Sequence, residues 1–322
     1  MTIISNCTTS IIKDAALALK EGHLVAFPTE TVYGLGADAT NAKAVARIYE
    51  VKGRPTDHPL IVHISSLELL DKWAREIPEY AIKLARAFWP GPMTLVLNKT
   101  DLAQDFITGN QDTVAIRVPS HVVSNKLIKE FENLGGFGVA APSANRFGRV
   151  SPTNADAVSQ EMVKFLSPDD LIIDGGNCSV GIESTIINCT QDLPAILRPG
   201  AITPNLINDL LETNIGIHNA DNKLSQIKTS GMLSTHYAPK AKVILSSEPE
   251  EGDGYIALLE HLTPPGVIRL ASPRNEIEFA QVLYNSLRLA DEKNLSKVFV
   301  NSPLGDGIAT AIRDRLTKAS TN

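Results

Sequence analysis

The chain has 322 residues, 43% of them hydrophobic and 20% charged, with a formal net charge of −6 and a pI near 5.7. That length exceeds the usual size of one core and predicts two domains. The acidic balance excludes a general polyanion binder, which carries a basic stripe. Mean hydropathy is −0.01, as in an ordinary soluble protein with a substantial interior. Three cysteines, Cys7, Cys178 and Cys189, form no CxxC pair. That pattern points to reduced thiols in a cytosolic setting and to no zinc site. The first residues lack the charged-then-apolar order of a signal peptide, and no apolar run reaches the roughly 18 residues that span a bilayer. The expected location is the cytoplasm, with no membrane contact.

In chain order, Ser10–Lys20 reads as a helix stopped by Gly22. Residues 23–64 then organise the chain. Leu24–Phe27 and Leu60–Ile64 are short apolar runs flanked by breakers and read as buried strands. Between them lie a polar turn, Pro28–Thr31, and a glycine loop, Gly34–Gly36. A helix capped by Thr40 or Asn41 follows, and then the basic loop Lys52-Gly53-Arg54-Pro55. This is a βαβ-like unit whose polar residues gather at loop ends, where sheet ligands bind. Leu67–Phe88 is helical with a break at Pro78. Strands are expected at Met93–Leu97 and Thr113–Val118, a helix at His121–Glu132, and a short strand at Val139–Ala141. Ser151-Pro152 resembles an N-cap with proline at the first helical position. Strands at Leu171–Ile173, Thr185–Asn188 and Ala195–Leu197 precede a helix opened by Thr203-Pro204. Residues 213–240 read as a linker, and from Ala241 a small α/β unit begins. The expected division is 1–212, 213–240 and 241–322.

Lys52 and Arg54 point the same way if their segment is extended, and Gly53 between them admits a close ligand. Such a pair suits phosphate oxygens, with Lys as a point charge and Arg as a fork, although a solvated charged loop reads the same way. Arg117 ends an apolar strand on the face opposite Val114, Ile116 and Val118. It needs an anionic partner or a route to water, so it is either a structural ion pair or a ligand cation. Arg198 poses the same choice. Thr29, Thr31, Ser143, Asn145, Ser151, Ser184 and Thr185 sit in turns, where such groups commonly satisfy local backbone. His63 lies in a buried strand near its C-terminal end. GxxxxGK[ST], GxGxxG, HExxH and GxSxG are all missing. Cations and hydroxyls without a nucleophile fit transfer chemistry that works by positioning and charge neutralisation.

The motifs PTETVYGLG (28–36), KGRP (52–55), HPLIVH (58–63), AIRVP (115–119), APSAN (141–145), STI (184–186), LRPG (197–200) and HYAP (236–239) occur in this order. Together they resemble the threonylcarbamoyl-AMP synthase family in its long, two-domain form. The resemblance implies a YrdC-like twisted mixed sheet with flanking helices and a smaller, Rossmann-like C-terminal α/β domain. It implies a nucleotidyltransferase that condenses L-threonine, bicarbonate and ATP, with magnesium on the ATP phosphates and no protein ligands to the metal. The product would supply the tRNA threonylcarbamoyl-transfer machinery that modifies adenosine beside the anticodon, with at most a weak tRNA contact. Carried over by motif, Thr31, His63, Arg117, Ala141 and Ser184 would line the threonine pocket. Lys52, Arg54, His58, Thr113, Ser143, Asn145, Ser151 and Arg198 would hold ATP, with Lys52 and Arg54 as the catalytic cations. Tyr237 would close over the nucleotide. The segment Thr229-Ser230-Gly231-Met232 lacks the proline that family linkers often carry there. Two competing readings are a carbamoyl-transfer enzyme of the same fold and a non-catalytic RNA-binding or ribosome-associated module.

Overall fold

The computed structural model describes residues 4–6, 8–216, 227–229, 231, 237–245 and 247–321, with side chains from Thr8 onward. The large sheet contains β1 (Ile4–Asn6), β2 (Val25–Phe27), β3 (Gly34–Asp38), β4 (Ile61–His63), β5 (Ala74–Arg75), β6 (Met93–Lys99), β7 (Thr113–Arg117), β8 (Val139–Ala140), β9 (Leu171–Asp174), β10 (Thr185–Asn188) and β11 (Ala195–Arg198). The second sheet contains β12 (Lys242–Ile244), β13 (Gly254–Ile256), β14 (Ile268–Ala271) and β15 (Lys297–Val300). The helices are α1 (Thr9–Glu21), α2 (Ala42–Lys52), α3 (Leu70–Trp73), α4 (Glu79–Phe88), α5 (Asp105–Thr108), α6 (Val122–Asn133), α7 (Ala155–Met162), α8 (Pro204–Leu211), α9 (Glu276–Glu292) and α10 (Ile308–Ala319).

Strand order in the large sheet is β1-β9-β2-β3-β8-β4-β7-β6-β10-β11, with β5 on β6. Parallel and antiparallel pairs mix: β4 runs with β7, and β6 with β10, while β6 opposes β7. Side chains alternate across the sheet. One face buries Val62, Leu95, Ile116 and Ile187 in the main core with α2 and α4. On the other face α1 and α6 cover Val25, Phe27 and Val139. Beyond their reach that same face presents Ile61, Val96, Ala115 and Ile186 as a small apolar floor. The second sheet is parallel throughout, in the order β12-β15-β13-β14, and packs on α9 and α10. Its core continues into Val32, Val150 and Ile182 of the first unit, so the two units share one apolar seam.

Local signals explain most boundaries. Thr8 caps α1 and left-handed Gly22 (φ 88°) ends it. Asn41 caps α2, accepting from Lys43 N and Ala44 N, and Gly53 (φ 61°) terminates it. Thr203 with Pro204 opens α8 as expected. Other readings are corrected. The glycine loop Gly34–Gly36 is strand, so residues 25–38 form a β2–β3 hairpin and β4 runs antiparallel to β2 across β3 and β8. A Cβ on Gly36 would meet Phe27 Cε1 at 2.7 Å and Val139 Cγ1 at 2.8 Å, so this glycine serves close packing and not a turn. The stretch Leu67–Phe88 is interrupted earlier than Pro78, by β5. Ser151 caps no helix; α7 starts at Ala155 behind Asn154. Most of the expected linker, residues 217–226, 230 and 232–236 with His236 among them, lies outside the described residues, as does Cys7. Cys178 and Cys189 are buried free thiols. No helix among the described residues is long and apolar enough to cross a membrane.

Candidate functional site

A cavity lies at the edge of this apolar floor, where Ile61 and His63 of β4, Arg117 at the end of β7 and Arg198 at the end of β11 meet the loop residues Thr29, Thr31, Arg54, Ser143 and Ser184. The parallel register sets His63 beside Arg117. Arg117 is buried and already has an anionic neighbour. Its Nη2 donates to Glu30 Oε1 at 2.6 Å and its Nη1 to Thr31 Oγ1 at 2.8 Å. Thr29 Oγ1 bonds Thr31 Oγ1 and donates to Val32 O, which stiffens the turn. The other Glu30 oxygen accepts from Ser120 N. Arg117 Nε has no partner among the described residues and is buried, the signature of a donor awaiting a ligand. His63 is buried beside Phe27, with Nδ1 near Ile61 O. Burial, aided by Arg117, holds its pKa at about 3, so the ring is neutral at physiological pH.

Opposite stands a set of cations. Arg54 follows Gly53 and donates from Nε to His58 O and from Nη2 to Pro59 O. Burial, with Arg198 adding to it, draws Arg54 down to about 10. Arg198 ends β11 and donates from Nε and Nη2 to Ser184 O, and from Nη2 to Ser184 Oγ. Burial lowers its pKa too. Ser184 Oγ also bonds Thr94 Oγ1 at 2.8 Å. Lys52, at the end of α2, is fully buried. Its Nζ donates to Ser143 O at 2.6 Å and to Asn145 O, clamping the 143–145 turn from behind. Burial, and then Arg54, push its pKa well below the lysine range.

The roof comes from elsewhere in the chain. Tyr237 is buried against the cavity and stacks on Tyr284 of α9, ring centroids 5.7 Å apart. Arg315 of α10 lies 5.5 Å from the centre of the Tyr237 ring. Gly231 borders the cavity, and its carbonyl accepts from Lys318 Nζ. Lys228 is held to the first unit by Asp57 and by two bonds with Gln111. The carboxylate of Glu183 also faces the cavity. Its Oε1 accepts from Ser151 Oγ at 2.7 Å, and its Oε2 from Tyr284 OH at 2.8 Å and Arg315 Nε at 2.9 Å. The cavity holds about 50 Å³.

Of the site residues carried over by the resemblance, Thr31, His63, Arg117, Ala141 and Ser184 border the cavity together, and so do Arg54, Ser143, Arg198 and Tyr237. Five do not. Lys52 lies behind the wall, and Ser151 points at Glu183. His58 packs edge-on against Phe147. Thr113 begins β7, about 13 Å along the strand from Arg117. Asn145 turns its amide nitrogen to Arg146 O and Arg149 O, and its buried Oδ1 has no partner among the described residues. Glu30, Glu183, Tyr284 and Arg315 were missed. Each had a signal: a lone carboxylate in an apolar or hydroxyl stretch, or a polar group on a helix's apolar face. Among the described residues no group of three or more His, Cys, Asp or Glu side chains is placed to hold a metal ion.

With this geometry in place, comparison with known proteins is informative. Residues 17–200 match the Sua5/YciO/YrdC family, described as telomere recombination. Residues 202–321 match the family described as threonylcarbamoyl-AMP synthase, C-terminal domain. The threonylcarbamoyl-AMP synthase of Pyrococcus abyssi is 42% identical over 99% of this chain and 98% of its own length. That of Bacillus subtilis is 39% identical over 96% and 92%. The crystal structure of P. abyssi Sua5 complexed with L-threonine superposes with a TM-score of 0.89 at 39% identity, covering 99% of this chain and 98% of that one. The fold is accordingly the expected mixed-sheet α/β unit followed by a smaller unit on a parallel sheet. On sequence, fold and length alike, the chain belongs to the threonylcarbamoyl-AMP synthase family.

Proposed function

We propose that this protein makes threonylcarbamoyl-AMP and pyrophosphate from L-threonine, bicarbonate and ATP, as a nucleotidyltransferase serving tRNA modification. The observation that carries the reading is the convergence of Arg117 with Thr31 and His63, and of Arg54 with Arg198, on one buried cavity. Arg117 has a free Nε beside a hydroxyl and a neutral imidazole, which suits an amino-acid carboxylate. Arg54 and Arg198, with the Ser143–Asn145 turn held by Lys52, suit phosphates. Asn145 Oδ1 is an acceptor left for the nucleotide. Magnesium enters with ATP, bound to its phosphates.

In this reading the threonine amine condenses with bicarbonate, losing water, to give a carbamate. A carbamate oxygen attacks the α-phosphorus and pyrophosphate leaves. Arg54 and Arg198 neutralise the charge that gathers on the phosphates. Lys52 acts at one remove, by fixing the turn that carries Ser143 and Asn145. Closure by Gly231 and Tyr237 excludes water from the mixed anhydride.

The test is incubation with ATP, labelled bicarbonate and each amino acid in turn. Labelled adenylate formed with threonine and not with other amino acids is the expected result. Label incorporation without that selectivity, or none at all, overturns the reading. A non-catalytic RNA module would instead show strong salt-dependent RNA affinity and no adenylate.

A further inference from the structure

Glu183, just before β10, and the fully buried Arg315 of α10 form a buried ion pair between the two units, and the proposed chemistry makes no use of it. Burying such a pair is a poor route to stability, because desolvation of both charges offsets their attraction. Here the geometry is costly and complete. Burial alone pushes the Glu183 carboxyl up, but Arg315, Arg198 and the Ser151 hydroxyl outweigh it and hold the pKa at about 2. Ser151, Tyr284 and Arg315 all donate to the one carboxylate of Glu183. Arg315 reaches further: its Nη2 donates to Pro199 O at 3.0 Å, one residue beyond Arg198, and lies 3.5 Å from Glu183 O, one residue before Ser184. Its guanidinium also backs the Tyr237 ring. Arg198 and Tyr237, which border the cavity, and Ser151, which lies behind its wall, thus all adjoin one interdomain pair.

We propose that Glu183 and Arg315 are positioning residues whose buried pair sets Ser151, Arg198 and Tyr237 for the nucleotide, making the C-terminal unit a working part of the site. The proposal rests on the synthase reading but is measured separately from it. The full chain is titrated with a non-hydrolysable ATP analogue plus magnesium, and unfolding midpoints are recorded for the same samples. Glu183→Gln and Arg315→Gln each weaken analogue binding by about tenfold or more. The double variant Glu183→Gln/Arg315→Gln regains much of the stability that Arg315→Gln loses by stranding the Glu183 carboxylate, whereas Arg315 in Glu183→Gln keeps Asp314. It does not regain analogue affinity. If affinity returns with stability, the pair is only a strut between units and the proposal fails. It fails equally if the single variants bind the analogue as the wild type does. Should a single variant not fold, Tyr284→Phe removes one neutral donor from the same carboxylate and weakens binding by about two- to tenfold; unchanged binding there also overturns the proposal. A wild type that binds the analogue but releases no pyrophosphate with threonine sinks the synthase reading alone.

Discussion

Arg117 separates two roles that the sequence left open, and the structure gives each a magnitude. Its ion pair with Glu30 is buried on both sides, 5% of each side chain being exposed. In Arg117→Ala, Glu30 keeps only the Ser120 N–H donor, and the stranded carboxylate costs about 3–5 kcal/mol of stability. Arg117→Lys keeps the charge opposite Glu30 but loses the fork that reaches Thr31 and leaves Nε free. Its stability cost should be about 1 kcal/mol, whereas threonine affinity should fall roughly 10- to 150-fold, since each hydrogen bond to a charged group contributes about 1.5–3 kcal/mol. Glu30→Gln supplies the opposite case, with stability reduced and threonine still bound. Calorimetric titration with threonine and denaturant midpoints on the same three variants measure both quantities. A lysine variant that binds threonine as tightly as the wild type would reduce Arg117 to a structural ion pair and refute the assignment.

His63 gives a pH signature. Its folded pKa, about 3, lies below the unfolded value of 6.5, so its contribution to stability is full above pH 6.5 and declines as pH falls. Between about pH 7.5 and pH 5 the wild type should lose about 2 kcal/mol more stability than His63→Gln; parallel pH profiles for the two proteins would contradict this. Lys52→Ala should lower stability by about 1–3 kcal/mol, because the Ser143 and Asn145 carbonyls lose their donor, and it should also abolish threonine-dependent pyrophosphate release. A variant of full stability and no activity would place the ammonium on the phosphates and not behind them. Gly36→Ala should cost about 1–3 kcal/mol through overpacking against Phe27 and Val139, read from its thermal midpoint.

Local chemistry was legible and long-range pairing was not. The caps at Asn41 and Thr203 and the stops at Gly22 and Gly53 follow from nearest neighbours in the chain, and the helices begin and end there. Period-two alternation at 113–117 correctly set Arg117 apart from Val114 and Ile116, which lie in the main core. Gly34–Gly36 misled because a glycine chosen for packing looks like one chosen for a turn. The gathering of these loop ends around one cavity depends on β6 pairing with β10 and β2 with β9, contacts made across long stretches of chain. Ser151 was read for its neighbour Pro152, when its partner is Glu183, and Glu183 could have been found by the argument applied to Arg117. A charge inside the run Gly181–Ile187 demands a partner as surely as one in β7.

The charges around the cavity point to a final measurable consequence. Lys52, Arg54, Arg117, Arg198 and Arg315 are buried there, against the carboxylates of Glu30 and Glu183, although the chain as a whole is acidic. Burial lowers the pKa of Lys52, Arg54 and Arg198, because loss of water disfavours the charged form. A bound triphosphate opposes that shift and raises all three. A group whose pKa rises on binding takes up protons at any pH between its free and bound values. Binding of the ATP analogue should therefore draw protons from the buffer. Titration calorimetry in buffers of different ionisation enthalpy reads that uptake directly. Lys52→Met should reduce it, and Arg117→Lys, on the threonine side, should leave it in place. Proton release on binding, or uptake unchanged in Lys52→Met, would mean that the phosphates settle away from this wall.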